Sequence, residues 1–147
     1  MKWLASVVGL LLLGTAPAWA TLGQSADSVE IDRQALRGQS EHVVLPYYTI
    51  HQITRGEGVA VKEYVSPQGK VFGVSWSGPT MPDLSQLLGD YYQDFQRAAT
   101  SRARRRAPIA VHVGDLVVES AGHLRSFHGR AYVTSLVPNT VTHEVVK

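Results

Sequence analysis

The sequence predicts an α+β domain in which an antiparallel sheet of about six strands packs on one long amphipathic helix. Segments rich in β-branched and aromatic residues lie on both sides of a single helical stretch. The turns between them carry glycine or proline, as tight antiparallel connections do. Because the helical spacing of apolar residues occurs in mid-chain, the predicted order is three strands, the helix and three more strands.

The first three predicted strands are separated by glycine-containing turns and cover residues 47–54, 59–65 and 70–77. Between the second and the third, Pro67 presets the first corner of a turn and Gly69 permits the backbone that follows. In the third strand, alternation predicts that Phe72, Val74 and Trp76 point to one face, which we expect to be the face against the helix.

The predicted helix begins after Pro82. Asp83 and Gln86 have the spacing of a capping box, so we expect the Asp83 carboxylate to cap the first turn. Apolar residues then recur at helical spacing along one stripe: Leu84, Leu87, Leu88, Tyr91, Phe95, Ala98 and Ala99. Gly89 is expected in mid-helix, where it lets a strand approach closely. We predict architectural roles for Trp76, Asp83 and Gly89.

The last three predicted strands are joined by two-residue turns at Ala121–Gly122 and His128–Gly129, and they cover residues 115–120, 123–127 and 130–137. This register places an arginine–aromatic strip on one face, made of His123, Arg125, Phe127, Arg130 and Tyr132. Leu124, Ala131 and Val133 then face the helix. The strip allows cation–π contacts, and its arginines could bind a carboxylate, a phosphate or a sugar. The alternative is a solvated sheet face held by cross-strand pairs.

Residues 1–20 have the features of a secretory signal peptide. Lys2 gives a positive start, an uncharged apolar run follows, and Ala18-Trp19-Ala20 provides the small residues of a cleavage site after Ala20. The run is shorter than the roughly 20 residues of a membrane-spanning helix, so we expect no transmembrane anchor after cleavage. The sequence therefore predicts export to the periplasm or the medium.

After the signal peptide, a polar segment of residues 21–46 with one short helix at 28–36 precedes a single domain of residues 47–147. The chain has no cysteine. An exported domain without disulfides is held by its core alone, which suits the bacterial periplasm. The absence of cysteine also excludes thiol catalysis, thiolate metal sites and a lipid anchor on cysteine.

The charged residues and the spacing of the histidines limit which macromolecules and metals the protein could bind. Without Lys2 the chain has 13 basic and 12 acidic residues. Arginines cluster at the expected helix end, where the helix dipole is negative: Arg102, Arg104, Arg105 and Arg106. Export and the lack of interleaved aromatic residues argue against nucleic acid, which leaves a solvated helix end or contact with an anionic envelope component. The six histidines lack metal-ligand spacing, so we predict neither a metal site nor a cofactor.

Three groups of short motifs together resemble a known family. They are EYV and PQG within residues 63–69, VFGVSWSGP, PDL and LLG within 71–89, and GHLR and GRAY within 122–132. Taken together, they are similar to the bacterial family called domain of unknown function 2844 (DUF2844), over almost the whole chain after residue 20. The resemblance implies an exported protein of Gram-negative bacteria, and it implies no activity.

Two functions of different classes follow. The first is a non-enzymatic periplasmic or secreted accessory protein that binds an envelope component or a partner protein. The alternative is a small hydrolase or metal-assisted enzyme centred on His123, with Asp83 or Glu119 nearby in space. A pocket that gathers His123 and a carboxylate would favour the enzyme, whereas a flat sheet would favour the binding protein.

Overall fold

The computed structural model describes residues 22–35, 37–102 and 108–147. They form a seven-stranded antiparallel sheet with helices against one face. The helices are α1 (Ser28–Ala35), α2 (Leu84–Leu88) and α3 (Tyr92–Arg102). The strands are β1 (Gln39–Val44), β2 (Thr49–Thr54), β3 (Ala60–Val65), β4 (Val71–Gly78), β5 (Ile109–Val113), β6 (Leu116–His123) and β7 (Ser126–Val133). Within the described ranges, no helix is long and apolar enough to cross a membrane.

The strands are arranged in the order β1-β2-β3-β4-β7-β6-β5, and every neighbouring pair is antiparallel. The helices carry the chain from β4, in the middle of the sheet, to β5 at its far edge. The chain then returns through β6 to β7, which pairs with β4. The sequence prediction of an antiparallel α+β fold is confirmed at this level. It gave about six strands, however, because it missed β1 and β5 and divided β6 and β7 into three strands.

The two faces of the sheet have separate cores. On the helix face, Val74 and Trp76 of β4 join Leu88 and Phe95 in the larger apolar cluster. On the opposite face, which we call the open face, Tyr64, Phe72, Val117 and Tyr132 form a smaller cluster. Val146, which is fully buried, belongs to this second cluster, so the segment of residues 137–147 covers part of the open face.

The prediction that Phe72 faces the helix is wrong, because β4 contains a β-bulge at this residue. Tyr64 pairs with Gly73 and Val65 pairs with Val71, so Phe72 is an extra residue without a partner in β3. An extra residue interrupts the alternation of faces. Phe72 consequently packs beside Tyr64 on the open face, with ring centroids 6.1 Å apart, while Val74 and Trp76 remain on the helix face.

The predicted turn at His128–Gly129 is wrong. His123 pairs with Ser126, so the β6–β7 turn is Leu124–Arg125, and Arg125 has a φ of +65°. Gly129 lies inside β7, where a Cβ atom would collide with the Trp76 indole. Ala121–Gly122 also lies within a strand rather than at a turn. These glycines serve close packing, and the sequence prediction mistook them for turn residues.

The predicted single long helix is interrupted at Gly89. Asp83 caps α2, and its Oδ1 accepts hydrogen bonds from Ser85 N at 2.9 Å and Ser85 Oγ at 2.6 Å. Gly89 then ends α2 with a φ of +49°. Glycine adopts such a positive φ readily because it has no Cβ atom to clash with the backbone. A 3-10 turn at Gly89–Tyr91 leads into α3. Gly89 thus separates two helices rather than lying within one.

The N-terminal part of the described chain is integrated into the fold. Ser28–Ala35 is helical, and Leu22 and Val29 lie in the helix-face core. β1 extends the sheet before the predicted domain start at residue 47. The predicted signal peptide, residues 1–20, lies outside the described residues, as do Arg104, Arg105 and Arg106 of the arginine cluster.

Candidate functional site

The structure separates the five residues of the predicted arginine–aromatic strip. His123 ends β6 and is exposed, and Arg125 lies in the hairpin turn. Phe127 lies on the helix face, because it is out of phase with Arg130 and Tyr132 along β7. Arg130 and Tyr132 do share the open face, and the Arg130 guanidinium carbon lies 5.8 Å from the Tyr132 ring centroid. The predicted cation–π contact therefore exists for this pair alone among the five.

Arg130 connects three parts of the open face. Its Nε donates a hydrogen bond to Glu119 Oε2 at 2.6 Å across the β6–β7 pair. Its Nη1 donates to the Val146 carbonyl at 3.3 Å. Tyr132 in turn stacks on His143 with 5.0 Å between ring centroids, and burial raises the pKa of the Tyr132 phenol. The 137–147 segment is therefore attached to the sheet beside Arg130.

A cavity of about 560 Å³ opens next to this attachment. Its floor consists of small side chains from neighbouring strands, namely Ala60, Ser75, Ser77, Ala110 and Ala121, together with the backbone of Gly129. Its polar wall contains Lys62, Glu119, His128, Arg130 and Lys147. Pro108 and Ile109 border the end at β5. We call this space the open-face cavity.

The strand register explains why the cavity lies there. Ser75 pairs with Arg130, which pairs with Glu119, which pairs with Ala110, so these four form one row across the sheet. Two residues further along β4, Ser77 begins a second row. Large side chains fill the open face at the neighbouring Tyr64 and Tyr132 end, where Val146 covers them. Where the side chains become small, the cover ends and space remains.

The 137–147 segment also sets the cationic side of the cavity. Tyr64 donates its hydroxyl hydrogen to the Lys147 carbonyl at 2.6 Å, and the Lys147 N–H donates to the Tyr64 hydroxyl at 3.0 Å. Lys62 Nζ donates to the same Lys147 carbonyl at 3.3 Å. Lys62, Arg130 and Lys147 thereby lie along the side of the cavity next to this segment, and Glu119 is the one carboxylate side chain among its lining residues.

The geometry does not assemble the enzyme centred on His123. His123 does not line the cavity. Glu119 lies four residues away along β6, which is about 13 Å in a strand, and it is paired with Arg130. The Asp83 carboxylate is used by Ser85, whose hydrogen bonds lower the pKa of Asp83. Across the described parts of the chain, His, Asp and Glu side chains form no group of three or more that could hold a metal ion.

A second pair of titratable groups lies on the β1–β2 hairpin, away from the cavity. His42 and His51 are cross-strand partners, and their rings stack with centroids 5.8 Å apart. Burial lowers the pKa of His51, and the neighbouring His42 lowers it further. The pairing of these two histidines was not predicted from the sequence.

Comparison with known protein families identifies the family of this chain. The model of the family described as protein of unknown function DUF2844 matches residues 18–146. The chain belongs to this family. Comparisons with curated proteins and with solved structures found no match.

In this DUF2844 chain, the sequence predicts Arg130 and Tyr132 as site residues, but of the two only Arg130 lines the cavity, and most of the lining was not predicted. The missed lining residues include Ala60, Lys62, Ser75, Ser77, Pro108, Ile109, Ala110, Ser120, Ala121, His128 and Lys147. One signal was present: alanine and serine occupy outward positions on strands whose inward positions are large and apolar. Outward-facing positions on a solvated strand can carry large polar side chains. A series of small residues there is therefore a sign that the space above them is kept open.

Proposed function

We propose that this protein is an exported, non-enzymatic accessory protein that binds a component of the cell envelope in the open-face cavity. The observation that carries the proposal is the cavity itself, with its floor of small side chains and its wall of basic ones. Binding sites for small molecules are concave, mostly apolar and few in number, with a small set of polar groups that orient the ligand. A volume of about 560 Å³ is within the range of such sites.

The scaffold supports a preformed site. Strands β4, β7 and β6, which contribute Ser75, Arg130 and Glu119, are consecutive in the sheet and paired on both sides. Side chains on paired strands are positioned more precisely than side chains on loops. The Glu119 ion pair and the Val146 carbonyl further fix the Arg130 guanidinium. A ligand would therefore meet an arginine that is already ordered.

The export part of the proposal is supported by the signal-peptide features of residues 1–20 and by the absence of cysteine. The test is mass spectrometry of the protein recovered from the periplasm or the medium of an expressing Gram-negative bacterium. We expect a mature chain that begins at Thr21. An intact Met1 terminus in that fraction would contradict export with cleavage after Ala20.

The binding part is tested by nuclear magnetic resonance with a panel of small neutral, anionic and cationic apolar fragments. We expect at least one class to shift the amide signals of the cavity-lining residues. Ala121→Phe places a large ring on the cavity floor, whereas Ser40→Phe places the same ring on the exposed edge strand β1. Binding should be lost in the first variant and kept in the second.

Two results would contradict the cavity as the binding site. One is that no fragment of any class shifts the cavity signals of the folded protein. The other is that Ala121→Phe binds the fragments as well as Ser40→Phe does. Circular dichroism of both variants establishes that each is folded before the comparison is made.

A further inference from the structure

We infer that the ligand of the open-face cavity is an amphiphilic organic acid, whose acid group lies at the lysine–arginine side, next to the 137–147 segment, and whose apolar body lies along the alanine-lined floor. This inference rests on the proposed function, since it names the ligand of the same cavity. It is carried by three features of the lining residues: their charge balance, their unused donors and the separation of charged from apolar side chains.

The charge balance favours an anion. Three cations line the cavity, Lys62, Arg130 and Lys147, against one carboxylate, Glu119. The ion pair with Glu119 compensates Arg130, and the Lys147 main-chain oxygen accepts a hydrogen bond from Lys62, so a net positive charge remains on the lining side chains. A low-polarity floor strengthens the attraction between these charges and an enclosed anion, because nearby water screens it less. A cationic ligand would be repelled by the same residues.

The cations have donors left for a ligand. Arg130 uses Nε on Glu119 and Nη1 on the Val146 carbonyl, and its Nη2 has no hydrogen-bond partner among the described residues. Lys62 uses one of its three ammonium hydrogens on the Lys147 carbonyl. Both side chains flank Ser75, which pairs with Lys62 in β3 and with Arg130 in β7. Since neighbouring strands are about 4.8 Å apart, an acid group above Ser75 is within reach of both cations.

The apolar part of the ligand has its own region. In the row beside the charged one, the side chains are small apart from His128, namely Ala60, Ser77 and Ala121, and the floor continues past Ala110 to Pro108 and Ile109 at the β5 edge. The cavity thus crosses from β3 to β5, which is four strand spacings or about 19 Å. A molecule with charge at one end and hydrocarbon at the other matches this division, whereas a fully hydrated anion would leave the floor in contact with water.

The experiment is calorimetric titration of the mature protein with four ligands that share an eight-carbon chain: octanoate, octyl phosphate, 1-octanol and octyltrimethylammonium, each below its aggregation concentration. We expect one or both acids to bind at least tenfold more tightly than octanol, and the ammonium compound to bind more weakly than octanol. The two acids distinguish a carboxylate head group from a phosphate head group.

Two lysine variants locate the acid group. Lys62→Met removes a charge that lines the cavity, and Lys70→Met removes one from an exposed position outside it. We expect Lys62→Met to weaken binding of the acid about tenfold, which is the scale of one charge-assisted hydrogen bond. Octanol binding should be unchanged, and Lys70→Met should behave like the parent protein with every ligand.

The inference is overturned if octanol binds as tightly as the acids, or if Lys62→Met and Lys70→Met bind the acids equally. It is also overturned if an oligoglutamate peptide occupies the cavity more tightly than either acid, because the partner is then an acidic protein segment. A different outcome would contradict the proposed function itself, namely that neither these ligands nor the fragments of the panel bind in the cavity.

Discussion

Replacement of Gly129 by alanine should destabilise the fold through a collision with Trp76. Gly129 pairs with Trp76 on one side and with Ser120 on the other. An alanine Cβ at this position would lie 2.6 Å from Trp76 Cε2 and 2.7 Å from the Glu119 carbonyl oxygen. Ordinary contacts of a Cβ atom begin near 3.4 Å, so both neighbours would have to move.

The expected cost is about 2 kcal/mol in the free energy of unfolding. Inserting a methyl group into a packed site costs about 1–3 kcal/mol, and Trp76, which is 2% exposed, has little room to shift. The loss of backbone freedom in the unfolded chain offsets about 0.4–1 kcal/mol of this. The carbonyl contact comes from the backbone of a paired strand, which yields less easily than a side chain.

Urea unfolding followed by circular dichroism measures the effect. Gly56→Ala is the matched control, because a Cβ at Gly56 meets nothing within 4 Å. We expect the control to be unchanged or slightly more stable. In a Trp76→Leu background, Gly129→Ala should cost less, since one of its two collisions is gone. A Gly129→Ala protein within 0.5 kcal/mol of the parent would refute the reasoning, because such a value is typical of an ordinary surface substitution.

The remaining predictions concern the helix face and the β1–β2 hairpin. Trp76→Ala should cost about 3–5 kcal/mol in urea unfolding, almost entirely through packing, since the buried indole Nε1 has no hydrogen-bond partner among the described residues. Asp83→Ala should cost about 1 kcal/mol in the same assay through loss of the α2 cap, and no loss would show that the cap is dispensable. His51→Gln should reduce the acid sensitivity of folding. Burial lowers the pKa of His51, so the folded state resists protonation and the parent loses stability as the pH falls below about 6.5. Equal losses in parent and variant between pH 7.5 and pH 5 would contradict this role.

Part of the fold could be predicted because its local patterns agree with the tertiary structure. The Pro67–Gly69 turn and the apolar stripe after Asp83 have recognisable local signals, and the structure has the β3–β4 hairpin and α2 there. β1 gave no such signal, because all six of its residues are exposed and its sequence therefore has no inward-facing apolar series. Strand pairing, rather than side-chain burial, makes this segment a strand.

Local rules failed where tertiary packing uses the same residues for another purpose. Glycine is usually a sign of a turn, but Gly129 lies opposite the Trp76 indole, which requires a residue without a side chain. The actual turn has Arg125 in a left-handed conformation, a position where glycine or asparagine is expected. The error shifted the predicted register and moved Phe127 to the wrong face.

The cavity could not be predicted from any one segment. Its lining comes from five strands whose neighbours are decided by the return of β7 to β4, a pairing between residues 49 to 59 positions apart. Arg130 could be selected from the arginine–aromatic pattern of its own segment. Lys62 and Ser75, in contrast, acquire their role through the cross-strand row that joins them to Arg130. The covering by Val146 adds a further long-range contact.

The most direct test of the cavity as the binding site is a nuclear Overhauser measurement between octanoate and the methyl groups of the protein. We predict transfer from the octanoate chain to the methyl groups of Ala110 and Ala121 on the cavity floor. Val43 and Val44 are 56% and 72% exposed on the edge strand β1, so they report non-specific contact with apolar surface. Transfer to these valines without transfer to the two alanines would contradict the account.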